Sequence, residues 1–229
     1  VNRITQDAYD SHGNVTEEIE PDNSPITYGT YNSFVDPSTT TDELGRTTSY
    51  SYDAMNRETG TTDAAGSSIA GVTTFTYDAA GNQITSTDPD NDTTTTTYDA
   101  LDRVSTVKDP DGGLTTYTYD NAGRLHVLTD PVGNATTYTY NGIGEQTMVT
   151  SPSVNSGTGV SATFVYDADG ELTDTTDADG HRVTYSYDSR GDQTGVSWLN
   201  GSGTAIYTAT YTFDADKEMT GASDANATL

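Results

Sequence analysis

Carboxylates at alternate positions are the first side chains in this sequence with an evident chemical use. Asp88, Asp90 and Asp92 lie two apart, and Asp99 stands at the twelfth place counted from Asp88, as in a calcium loop. Thr93 occupies the place where that loop needs glycine, and no helix pattern flanks it. Asp167/Asp169 and Asp177/Asp179 are shorter pairs of the same kind. Turn formation is the simpler reading, because Asp side chains hydrogen-bond to backbone just ahead of them. Carboxylates repeated on stacked turns could also share Ca2+ or Na+, since like charges in a row are costly. Ca2+ is therefore the one cofactor to consider, and otherwise none is expected.

Catalysis has less to stand on. His12, His126 and His181 fall at different phases of the repeat described below, so no common site follows from them. Ser and Asp are so abundant that a Ser/His/Asp set arises from composition alone and means nothing without geometry. The expectation is a protein that is not an enzyme. Asn14, Asn91, Asn134, Asn200 and Asn226 each begin an N-glycosylation acceptor stretch. Chance matches are expected in a chain this rich in Thr, and they matter only for an exported protein of an organism that glycosylates. Trp198, the one tryptophan, lies beside an insertion and is either an exposed contact or a core filler.

Composition narrows the classes further. Hydrophobic residues make up only 31% of the 229, with 4 Phe and 16 Tyr, so tyrosine must supply much of the apolar area that folding buries. Low hydrophobicity with high charge would ordinarily indicate disorder, and only a regular pattern argues otherwise. The net charge is −26, from 35 acids against 9 bases, which repels phosphate and disfavours nucleic acid and anionic membranes. Cations and basic polypeptides are the ionic partners that fit, and the lysine-poor, Asp-rich bias suits solubility in high salt. There is no cysteine, hence no disulfide and no thiolate metal site. No apolar run is long enough to span a bilayer as a helix. The chain starts at Val1 with no visible signal peptide and is read as a piece of something longer.

The elements that must position these residues come from an internal repeat. Tyr-Asp, or a close variant, recurs from Tyr9, Tyr31, Tyr52, Tyr77, Tyr98, Tyr119, Tyr140, Tyr166, Tyr187 and Phe213, at intervals of 21, 22, 25 or 26 residues. Aromatic pairs sit two apart: Tyr50/Tyr52, Phe75/Tyr77, Tyr117/Tyr119, Tyr138/Tyr140, Phe164/Tyr166, Tyr185/Tyr187 and Tyr211/Phe213. That period places both rings on one face of a β-strand. The intervening Ser, Thr or Val suits a face that meets water.

Two turns punctuate each unit. Four residues after each Tyr comes Gly13, Asn56, Gly81, Asp102, Gly123, Gly144, Gly170 or Gly191, residue types that tolerate positive φ; Val35 and Lys217 depart from the rule. The second turn reads Asp-Pro-x-Gly at Asp109–Gly112 and Asp130–Gly133, and Asp88-Pro89-Asp90-Asn91 is close to it, a type I signature. Weaker versions begin at Glu20, Asp42, Asp63 and Asp177. The second strand of each unit is less apolar, with Leu125 and Val127 alternating, as do Val104 and Thr106. Spacers near 66–71, 151–161 and 200–205 are rich in Gly and Ser and read as longer loops. No helical periodicity occurs.

The fold class that follows is all-β: one repetitive antiparallel hairpin array over residues 1–229, in a curved or spiralling sheet. A single hairpin is unstable alone, so successive hairpins must share hydrogen bonds, with tyrosines in ladders along one face as the interior. The residues expected to build it are Tyr52, Tyr77, Tyr98, Tyr117, Tyr119, Tyr138, Tyr140, Tyr166, Tyr185 and Tyr187, with Gly81, Gly123, Gly170 and Gly191 in the turns.

Tyr-Asp-x-x-Gly-[Asn/Arg], then Asp-Pro-x-Gly, then Thr-x-Tyr-x-Tyr-Asp, resembles the YD-repeat or RHS-repeat family. Its best examples are Tyr77-Asp78-Ala79-Ala80-Gly81-Asn82 and Tyr119-Asp120-Asn121-Ala122-Gly123-Arg124, and the resemblance covers almost the whole chain. The family includes polymorphic-toxin proteins, shell components of insecticidal toxin complexes, teneurins and wall-associated surface proteins. The resemblance implies a non-enzymatic, exported scaffold: the wall of a hollow shell around a cargo polypeptide, or a cell-surface fibre or adhesin. Partners would be neighbouring repeats or identical subunits, cargo, or cell-surface glycans. A sugar- or Ca2+-binding surface module is the alternative. No cargo-like domain is recognised, and Asp109-Pro110-Asp111-Gly112-Gly113-Leu114, a near miss to the family's self-cleaving segment, reads as an ordinary repeat turn.

Overall fold

Threonine, serine, valine and tyrosine favour extended backbone, and they dominate between turns spaced too closely for helices. The computed structural model of the protein describes residues 5–20, 24–63, 70–152 and 159–226, and among them every regular element is a β-strand. The expected turns beginning at Glu20 and Asp63 fall largely outside the described residues, as do most of the spacers near 66–71 and 151–161 and the end of the Asn226 acceptor stretch.

The chain divides into two units at Leu114/Thr115. The first holds β1 (Gln6–Tyr9), β2 (Val15–Ile19), β3 (Pro25–Tyr28), β4 (Thr39–Thr41), β5 (Thr47–Tyr52), β6 (Glu58–Asp63), β7 (Gly71–Tyr77), β8 (Gln83–Thr87), β9 (Thr93–Tyr98) and β10 (Val104–Lys108). The second, beginning in β11 (Leu114–Tyr119), continues with β12 (Leu125–Thr129), β13 (Ala135–Tyr140), β14 (Gln146–Ser151), β15 (Val160–Tyr166), β16 (Leu172–Thr176), β17 (Arg182–Tyr187), β18 (Gln193–Leu199), β19 (Ala205–Phe213) and β20 (Met219–Asn226). Within each unit every strand pairs antiparallel with the next in sequence, a pure meander, as the repeat requires.

The two turn types of the sequence are one device. In the Tyr-Asp turns, Asp120 N–H donates to Arg124 O at 2.9 Å and Gly123 N–H to Asp120 O at 2.9 Å; in the Asp-Pro turns, Asp130 N–H donates to Asn134 O at 2.9 Å and Gly133 N–H to Asp130 O at 3.0 Å. This is a type I turn closed by a left-handed fourth residue. Geometry overrides residue type at the exceptions: Val35 has φ 71° and Lys217 φ 65°. The insertion at 200–205 is not a longer loop. Asn200–Thr204 is the same tight turn, with Gly203 at φ 82°, and the additional residues lengthen β18 and β19 through the pairs Trp198↔Tyr207 and Leu199↔Ala205.

A bulge recurs in the Tyr-Asp hairpins and revises the second strand. Tyr119 pairs with Leu125 but Thr118 pairs with Val127, so His126 is the additional residue. Leu125 and Val127 therefore lie on opposite faces, and Leu125 and Leu128, which pairs with Tyr117, share the tyrosine face. Val104 and Val107 likewise take that face, opposite Tyr98 and Thr96, while Thr106 faces the other way.

Apart from one pair in the β18–β19 hairpin, the rings are not stacked into ladders. Tyr138 is opposite Val149, and Val149 is opposite Ala162, so a ringless strand separates successive tyrosine strands. Two strand spacings, about 9–10 Å, are too far for ring contact. The tyrosines are half-buried rather than interior, Tyr9 being exposed outright, and Ala209, at 4% exposed, is the one buried apolar side chain among the described residues. A sheet folded into single layers has no second face to close over its rings. On the other face hydroxyls satisfy one another across strands, as in Thr97–Thr106 at 2.6 Å, Thr87–Thr93 at 2.8 Å and Ser197–Thr208 at 3.1 Å.

Candidate functional site

What joins one repeat to the next is a clasp built from the turn outward. The turn's Asp spends one oxygen on backbone: Asp120 Oδ1 accepts from Ala122 N–H at 2.9 Å and Arg124 N–H at 3.0 Å. Its other oxygen takes the side chain after the glycine, Arg124 Nε at 2.7 Å. That guanidinium then reaches the following repeat. Its Cζ lies 4.5 Å from the centre of the Tyr140 ring, and Nη1 donates to Asn141 O at 3.0 Å. Arg57 repeats the geometry, bonding Asp53 at 2.7 Å, covering Tyr77 at 4.7 Å and donating to Asp78 O at 3.0 Å.

The tyrosine completes the clasp from the other side. Tyr140 Oη donates to Leu125 O at 2.9 Å, the residue directly after Arg124. The same bond runs from Tyr52 to Pro37 O at 3.2 Å, Tyr77 to Glu58 O at 2.6 Å, Tyr98 to Gln83 O at 2.8 Å and Tyr187 to Leu172 O at 2.9 Å, and Tyr31 bonds Val15 O. In each case the acceptor is the fifth residue after the Asp or Asn that opens the preceding turn. Within an aromatic pair, it is the second ring that does this, and Tyr31 and Tyr98 do it with no partner ring two residues before. Tyr117, Tyr138 and Tyr185 present rings to the same face without this bond, Tyr166 sits half-buried without it after an insertion, and Tyr119 is half-buried at the end of β11.

Electrostatics follow the bonding. The Arg124 guanidinium, then its N–H, hold the Asp120 carboxyl below the ordinary Asp range; at Asp53 the Arg57 N–H leads and the guanidinium follows. Burial pushes the Tyr52, Tyr77 and Tyr187 hydroxyls up. After Arg124 the second unit has acids, Glu145, Glu171, Asp192 and Glu218, at the place that Arg57, Asn82 and Arg103 hold in the first. Asn141 Nδ2 donates to Glu145 at 2.5 Å. Glu171, in the arginine's place beside Asp167, is pushed up by lost solvation and then by Asp167. Asp192 takes the same place and is 10% exposed, held by charge alone from Arg190 at 3.2 Å and Lys217 at 3.4 Å. Arg190, displaced two residues earlier, keeps the arginine's task by pairing with Asp188 and donating to Asp214 O at 2.5 Å.

The predicted turn glycines take left-handed φ, Gly81 at 100°, Gly123 at 84°, Gly170 at 84° and Gly191 at 80°. The first carboxylate of each candidate metal run, Asp88, Asp167 or Asp177, is a turn-former in the same way. Asp88 Oδ1 accepts from Asp90 and Asp92 N–H, both at 2.9 Å, and Asp167 Oδ1 from Asp169 at 2.9 Å and Glu171 at 3.0 Å. Among the described residues the donor atoms that converge are those of Asp177, Asp179 and His181, within 4.8 Å and all exposed. His181, not singled out as a ligand from the sequence, donates its Nδ1–H to Asp177 Oδ2, 2.9 Å away. The histidines share no site: His126 Nδ1 lies 3.1 Å from Tyr138 O, and His12 is exposed beside an open cleft between the Asp10 and Asn32 turns. Asn14 and Asn134 commit their amides to Asp10 and Asp130, each at about the same hydrogen-bond length, 2.9 and 2.8 Å.

The geometry defines a class: a repeat scaffold whose conspicuous side chains are spent on joining hairpins. The RHS Repeat model matches residues 36–68, 77–114, 98–135 and 166–197, together more than half of the chain, and the chain belongs to that family. A mutant Tc holotoxin pore of Photorhabdus luminescens shares the fold, at 13% identity and TM-score 0.54, over 98% of this chain and 17% of that one. A TcdB2–TccC3 crystal structure is 14% identical with TM-score 0.45, covering 98% of this chain and 18% of that one. The chain thus spans about a sixth of the length of these solved chains. No curated protein matches it.

Proposed function

We propose that this chain is a non-enzymatic wall segment of an exported shell that encloses a cargo polypeptide. The observation that carries the reading is the clasp. The hydroxyls of Tyr31, Tyr52, Tyr77, Tyr98, Tyr140 and Tyr187 end on the equivalent carbonyl of the preceding repeat, and Arg57, Arg124 and Arg190 bridge turn to turn. Such joinery makes each repeat a course laid on the one before, which suits a continuous surface better than a discrete pocket. Membership of the RHS repeat family and a fold shared with a Tc holotoxin pore chain support a shell over other sheet architectures.

The test uses the native protein that carries this chain, purified and treated with a broad-specificity protease. A shell predicts that segments beyond the repeats resist cleavage until the wall is denatured. Cleavage of those segments at the rate of an unfolded control would remove the enclosure reading. End-to-end filaments in the same preparation would favour a fibre instead.

A further inference from the structure

The lengthened β18–β19 hairpin carries rings that no clasp needs. Trp198 lies opposite Tyr207, with ring centres 4.7 Å apart and planes inclined by 27°. Trp198 is 48% exposed, although it is the chain's only tryptophan. Its register position belongs elsewhere to the second turn's Asp. Tyr185 pairs with Val196 as Tyr117 pairs with Leu128, so Trp198 corresponds to Asp130. The inserted residues therefore put an aromatic surface where other repeats put a polar turn. Asp224, opposite Ala209, shares that face diagonally from Tyr207. That register sets the carboxylate on the ring face, and burial and then the Asp224 charge push the Tyr207 hydroxyl up.

Two clasps show what this sheet does with an Asp and an aromatic ring: Asp53 with Tyr77 and Asp120 with Tyr140 each hold an arginine. At Trp198, Tyr207 and Asp224 the ring and the carboxylate are present without one. Among the described residues the chain has no arginine to spare: Arg46, Arg57, Arg103, Arg124, Arg182 and Arg190 are each ion-paired to an Asp. We propose that Trp198, Tyr207 and Asp224 form a docking site for an arginine-bearing segment of a partner polypeptide, its guanidinium laid on the rings and countered by Asp224. A net charge of −26 attracts such a segment from a distance. A guanidinium plane suits stacked rings better than an ammonium does.

Because Trp198 is the only tryptophan, its fluorescence reports on this site alone. Penta-arginine titrated into the full chain at low salt is expected to change that fluorescence saturably. Penta-lysine should bind several-fold more weakly. Asp224→Asn should weaken penta-arginine about tenfold, the size of one partly desolvated ion or cation–π contact. Asp90→Asn, which removes the same charge from the other unit, should leave affinity within about twofold. Tyr207→Leu gives a second variant that keeps the reporter, and circular dichroism shows that both remain β-sheet. No saturable response, equal binding of the two peptides, equal effects of Asp224→Asn and Asp90→Asn, or saturation by a neutral oligosaccharide instead would each overturn the assignment.

Discussion

Tyr140→Phe removes one oxygen atom and leaves the ring beneath Arg124 in place. The hydroxyl donates to Leu125 O at 2.9 Å in a half-buried setting, so the change deletes one neutral hydrogen bond and strands its acceptor. Such a bond contributes about 1 kcal/mol net, with a range of about 0.5–1.5. For a cooperative unit of this size, 1 kcal/mol shifts Tm by about 4 °C. Tyr138→Phe is the internal control, because no described protein group bonds the Tyr138 hydroxyl, and it should stay within about 0.5 kcal/mol of the parent. Urea unfolding followed by far-UV circular dichroism gives both values with the m-value as a check on two-state behaviour. Distant clasps should add, so Tyr52, Tyr98, Tyr140 and Tyr187 changed together to Phe should cost about 4 kcal/mol. Equal losses for Tyr138→Phe and Tyr140→Phe, or none for either, would refute the distinction between ring and clasp.

The remaining predictions concern turns and charge. Gly81→Ala should cost about 1 kcal/mol by denaturant unfolding, from backbone strain alone, because φ is 100° and nothing lies within 4 Å of an added methyl. Val35→Gly should run the other way and stabilise by about 1 kcal/mol, relieving a β-branched residue at φ 71°. Acid should lower Tm: the carboxyls of Asp53, Asp99 and Asp120 are depressed by their turn donors, so their contribution is present above the unfolded value of about 3.9 and lost as pH falls through the lower folded values. Glu171 has the opposite sign. Its raised pKa favours the protonated form, so Glu171→Gln should raise Tm at neutral pH, and the gain should vanish as pH falls below about 4, where the native carboxyl protonates anyway.

Much of this fold is legible in the sequence because its signals are local. Alternate aromatics define strands, and Asp-x-x-Gly defines reversals, each within a handful of residues. The meander and the family follow from their repetition. The bulge is less visible, yet Leu125 and Leu128, or Val104 and Val107, keep a spacing of three that a regular strand does not explain, and that spacing is its trace. The clasp is hidden for a different reason. Tyr138 and Tyr140 look alike in sequence, and only the position of the preceding turn gives the second hydroxyl an acceptor. The residue after the turn glycine was legible as part of the motif but not as a bridge. Where charges are exchanged, as at Arg190 and Asp192, the motif is lost while the contact persists. Burial was misjudged because tyrosine content indicates which side chains are available to pack, not whether a second layer exists to cover them.

Electron microscopy of the native protein that carries this chain tests the architectural claim most directly. The account predicts closed, hollow particles whose walls show strands running in successive hairpin courses, with density for a polypeptide inside. Solid particles, or open filaments with no enclosed volume, would contradict it.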